Sequence, residues 1–95
     1  MSTVYGDGLH MTDRGSYGEG RVIYSLGISD RGKNFTFPGR RQMKRLSRTF
    51  LGGELQEHKE FPRTTRGFRF SIPIGTSAEK RAAFLGAVRH YCKKL

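Results

Sequence analysis

The chain has 95 residues, enough for one domain built around one modest hydrophobic core. Eighteen Lys and Arg against eight Asp and Glu leave a net charge of +10. Twelve of the cations are arginine, whose planar fork suits phosphate or carboxylate, so the composition points to a polyanionic partner. No apolar run approaches the roughly 20 residues of a membrane-spanning helix, and residues 1–10 lack the order of a secretory signal. A single cysteine, Cys92, makes neither an internal disulfide nor a cysteine-built zinc site. A cytoplasmic, intracellular location is the expectation that fits, without a membrane partner.

Residues 1–20 hold three acids, one arginine and five glycines, a net of −2. Glycine is costly to order and brings nothing to bury, so this stretch is expected to be a flexible N-terminal arm. The alternative is that residues 3–5 pair onto a sheet edge and only the middle stays loose. Residues 21–95 then form a single basic domain of net charge +12.

In residues 21–28 the even positions Val22, Tyr24, Leu26 and Ile28 are apolar, the alternation of a half-buried strand. Ser29-Asp30-Arg31-Gly32 has turn composition, and residues 33–37 are expected to return as the second strand of a hairpin. Pro38-Gly39 ends that strand. Residues 40–51 read as a helix, with Met43, Leu46 and Phe50 within an arc of about 60° and Arg40, Arg41, Lys44, Arg45 and Arg48 opposite them. Gly52-Gly53 suits its end.

Residues 54–60 are acidic and read as an extension of the helix or a loop. Phe68, Phe70, Ile72 and Ile74 alternate with Arg69, Ser71 and Pro73, a strand that Pro73 places at an edge or interrupts. Thr76, with Glu79 three residues on, offers a capping box for a second helix. Its apolar stripe is Phe84, Leu85, Val88, Tyr91, Cys92 and Leu95. The order β-β-α-β-α predicts an α+β domain, a small antiparallel sheet with two helices packed on one face. The chain is expected to end at the second helix, with no final strand.

The segment Arg66-Gly67-Phe68-Arg69-Phe70 resembles the start of the RNP1 motif of RNA-recognition-motif domains. The resemblance covers five residues and stops there. That motif needs small or apolar residues between its aromatics, where this chain has Arg69 and Ser71. Phe68 and Phe70 are therefore expected to face inward, with Arg69 and Ser71 on the opposite sheet face beside Arg21, Ile23 and Ser25.

The chemistry lies in the cations. Arg31, Lys33, Arg40, Arg41, Lys44, Arg45 and Arg48 fall within eighteen residues that contain no acid. Such stacking of like charge mildly destabilises a helix, which favours a face that meets an anion over one that is merely solvated. The expected function is nucleic-acid binding, DNA or RNA, through the phosphate backbone, with Arg63, Arg66 and Arg69 widening the footprint. The alternative is a small interaction or inhibitor protein that docks on an acidic protein surface or a phosphorylated ligand. Phe35 and Tyr17 are the candidates for base stacking. His10, His58 and His90 lie in separate elements with no carboxylate cluster, so neither catalysis, a metal nor a cofactor is expected.

Overall fold

A computed structural model describes residues 2–4, 8–16, 20–29, 35–53, 55–57, 67–73 and 75–94. Its main sheet has five antiparallel strands in the order β1-β2-β3-β6-β5: β1 (Ser2–Val4), β2 (Leu9–Ser16), β3 (Arg21–Ile28), β6 (Gly67–Pro73) and β5 (Gln56–Glu57). Two helices, α1 (Arg40–Leu51) and α2 (Ala78–Tyr91), complete the α+β architecture. A separate two-stranded ladder joins β4 (Phe35–Thr36) to β7 (Lys93–Lys94).

The alternation in β3 does what its period requires. Tyr24, Leu26 and Ile28 are buried, and so are Phe70 and Ile72 of β6, which pair with Tyr24 and Val22. The register also sets Ile23 against Ser71 and Ser25 against Arg69, as expected for the opposite face. Phe84, Leu85 and Val88 of α2 and Met43, Leu46 and Leu51 of α1 join the same core. Among the described residues, no helix is long and apolar enough to cross a membrane.

Residues 2–4 and 9–16, assigned from sequence to a flexible arm, are instead two strands of the main sheet. Leu9 and Met11 have no exposed surface, and they pair with Ile28 and Leu26. The glycines shape the backbone here. Gly15 adopts φ 102°, with its N–H donating to Asp13 Oδ1 at 2.7 Å. The β2–β3 register shifts between Asp13 and Ser16, the signature of a bulge that needs a residue tolerant of positive φ.

The expected hairpin between 21–28 and 33–37 does not form. Both edges of β3 are occupied, by β2 on one side and β6 on the other, so Phe35 and Thr36 pair with Lys94 and Lys93. The chain thus adds a short final strand after α2, where none was expected. Residues 30–34 lie outside the described residues, as do all of residues 58–66. Within the acidic stretch, Gln56 and Glu57 form the outer strand of the sheet and cover β6 only at Ser71 and Phe70. Pro73 lies beyond that cover and pairs with Arg21 on the other side, a position where proline's missing N–H is tolerated.

The cap of α2 falls one residue later than the sequence suggested. Ser77 Oγ accepts from the Lys80 N–H at 3.2 Å, while the Thr76 carbonyl accepts from Arg81 at 2.5 Å. Both Thr and Ser can cap, and Ser77, in extended backbone immediately before the first helical residue Ala78, holds the cap position. Because β2 is core structure, truncating Leu9 to Ala should cost about 2–5 kcal/mol in urea denaturation. An unchanged midpoint would show that this strand does not contribute to the fold.

Candidate nucleic-acid interface

Helix α1 carries the charge and is placed by its apolar side. Gly39 is its N-cap with ψ 163°, following buried Pro38, and the Met43 N–H closes the first turn on the Gly39 carbonyl at 3.0 Å. Gly52 ends it in the left-handed region at φ 76°. Buried Ser47 donates to the Gly53 carbonyl at 2.5 Å, fixing the chain just past that end. With Met43, Leu46, Ser47 and Leu51 turned inward, Arg40, Arg41, Arg45 and Arg48 are exposed and Lys44 is half-buried.

The first turn has no acidic residue and no side-chain cap, although it carries Arg40 and Arg41. Cations are disfavoured at the positive end of a helix, by roughly 0.3–1 kcal/mol each. For Arg40 this is offset by an ion pair with Glu57 of β5, at 2.9 Å between Nε and Oε2. Arg40 is therefore held by a carboxylate of the same chain, and Arg41 and Arg45 project beyond it.

Arg41 and Arg45 border a groove of about 390 Å³, whose other walls are Pro38, Gly39, Gln42, Tyr91 and Lys93. The start of α1 and the end of α2 meet here because β4 leads into one helix and β7 follows the other. Their pairing is reinforced by the Arg89 guanidinium, 4.1 Å from the centroid of buried Phe35. Tyr91 is the exposed large hydrophobic residue among those described, at 49%. Its ring meets His90 edge-on at 5.0 Å.

Arg69 is brought elsewhere. It pairs with Ser25 on the sheet face away from the helices, so it does not extend the α1 surface. Two other arginines occupy that face. Arg14 Nε donates to Ser25 Oγ at 2.9 Å, and Arg21 donates to Ser71 Oγ at 2.9 Å and to the Ser71 carbonyl at 2.8 Å. These acceptors are hydroxyls and a carbonyl, so they fix the guanidiniums without neutralising them. Arg31, Lys33, Arg63 and Arg66 lie outside the described residues.

The aromatic assignments also change. Phe35 is buried beneath Arg89 rather than available for stacking, and Tyr17 lies outside the described residues. Tyr91, placed from sequence on the inward stripe of α2, is the ring that faces out, beside Gln42 and Lys93, neither of which the sequence singled out. Tyr91 lies at the margin of that stripe: Val88 is buried and Cys92 packs half-buried against the core, while Tyr91 borders the groove with Arg41, Gln42 and Arg45. A polar hydroxyl on the last residue of a helix that carries two lysines after it was the available signal.

Comparison with family models, with curated proteins and with solved structures finds no match for this chain. Among the described residues no group of three or more His, Cys, Asp or Glu is placed to hold a metal ion. Burial pushes the Cys92 thiol up to about 11, against a smaller opposing pull from Arg89. Its proton is thus held more tightly in the folded chain than in the unfolded one. Alkylation of Cys92 by iodoacetamide should be much slower at pH 8 than that of an unstructured cysteine peptide, accelerating only towards pH 11. The same linkage makes the fold lose stability as pH rises from about 9 through 11. A thiol that reacts at the peptide's rate at pH 8 would contradict this environment.

Proposed function

We propose that the protein binds nucleic acid through the outward face of α1 and the groove at its start. The observation that carries this reading is the convergence of Arg41, Arg45 and Lys93 on one groove, with no carboxylate side chain among the described residues that line it. Arg48 continues the same exposed face about one turn beyond Arg45, with half-buried Lys44 beside it. The Arg41-to-Arg48 span is about 10 Å at 1.5 Å per residue, comparable to the axial rise over three phosphate steps of one duplex strand at about 3.4 Å each. Contacts of this kind to phosphate are sequence-independent, and Arg fits them better than Lys because its fork can engage two oxygens at once.

Counterion release sets the quantitative expectation. Neutralising about four phosphates gives a slope of roughly −2.8 for a single strand to −3.6 for a duplex in log affinity against log salt, or about a 50- to 150-fold loss between 50 and 200 mM salt. The variant with Arg41, Lys44, Arg45 and Arg48 all replaced by Ala should lose at least two orders of magnitude in affinity at low salt. Its fold should persist, because the inward residues Met43, Leu46 and Leu51 are untouched. Fluorescence anisotropy with a labelled oligonucleotide, together with circular dichroism of the variant, checks both. Binding that ignores salt, or a variant that binds as well as the parent, would overturn the assignment.

A further inference from the structure

We infer that the groove at the start of α1 takes one unstacked nucleotide, its base on the Tyr91 ring and its phosphate between Arg41, Arg45 and Lys93. The protein then selects single strands over duplex. This rests on the nucleic-acid reading above and narrows it. Four features of the groove converge on such a ligand.

The first is the ring itself. Tyr91 is 49% exposed where no other large apolar side chain among the described residues is exposed, and its His90 neighbour meets it edge-on. A base presents a π-face of matching size, and stacking on an aromatic residue is indifferent to which base it is. The second is charge. Three cations and, among the described residues, no acid line the groove, which disfavours an apolar peptide as occupant and suits a ligand that is aromatic at one end and anionic at the other.

The third is the backbone. The first turn of α1 has no side-chain cap and no acidic residue of its own, the nearest described carboxylate being Glu57 on Arg40, so the free N–H groups and the positive helix end, beside Gly39 and Gln42, reinforce Arg41 and Arg45. The fourth is size. About 390 Å³ lies at the low end of the range for small-ligand sites, enough for a nucleotide unit. In a duplex both faces of every internal base are already stacked. Tyr91 can be used there only at the cost of extruding a base, whereas a single strand offers its bases freely.

The test measures affinity for three probes at low salt: oligothymidylate of ten residues, the same strand in a duplex with its complement, and poly-glutamate. The parent protein should bind the single strand about tenfold or more tightly than the duplex. Tyr91→Ala should lose about tenfold on the single strand and leave duplex binding unchanged, while Tyr91→Phe keeps the parent's affinity. Tyr91 is exposed, so neither substitution opens the core. Equal affinity for strand and duplex, or no effect of Tyr91→Ala, overturns the inference and leaves phosphate binding by α1 intact. Failure to bind either nucleic acid, with tight binding to poly-glutamate, overturns both in favour of an acidic protein partner.

Discussion

The groove depends on a ladder of two residue pairs. Phe35 with Lys94 and Thr36 with Lys93 hold the entry to α1 against the exit from α2, and the cations of one helix meet the aromatic ring of the other only because of that. So short a ladder has little stability of its own. It is secured from beneath, where Phe35 and Phe37 are buried in the main core, and from above, where Arg89 lies over the Phe35 ring. The burial of an aromatic side chain contributes roughly 1.5–3 kcal/mol and a cation–π contact roughly 0.5–2 kcal/mol, each as much as the backbone bonds they support.

Charge and packing oppose one another in α1, and packing prevails. Arg40 and Arg41 sit at the helix's positive end, and the cations at 41, 44, 45 and 48 stack three and four residues apart. These effects together cost on the order of 1–2 kcal/mol, partly relieved at Arg40 by Glu57. Burying Met43, Leu46 and Leu51 contributes several kcal/mol in the other direction. The helix therefore carries a concentrated positive field that its own charges disfavour. On the far side of the sheet, Arg14 and Arg21 are held by Ser25 and Ser71, which leaves their charge undiminished, and the three described acids, Asp13, Glu57 and Glu79, lie outside that face.

Much of this was legible where one face of an element is buried along its whole length. The bounds of α1, its inward Met43 and Leu46, and its Pro-Gly entry and Gly exit follow from the 3.6-residue period and from backbone preferences, whereas Phe50 is only half-buried and Ser47 and Leu51 are buried in addition. The alternation in residues 67–73 likewise separated Phe70 from Arg69. The reading failed where local composition and burial disagree. Five glycines in residues 1–20 obscured the alternation of Leu9 and Met11 with His10 and Thr12, and Gly15 proved to be a bulge residue of a paired strand. Tyr91 followed the period of its helix but lies at the margin of the buried stripe, where it borders the groove.

The amino-acid sequence by itself determined which residues of each long element face inward, because periodicity ties side-chain direction to position along the chain. It also determined that a dense run of cations would lie on one helix face. Strand partners were decided only by the tertiary structure, since an edge of β3 accepts any strand of suitable pattern and β2 and β6 reached it first in space. The same holds for the groove. Arg41 and Tyr91 are fifty residues apart, and nothing local to either one encodes the meeting of two helix ends that a four-residue ladder brings about.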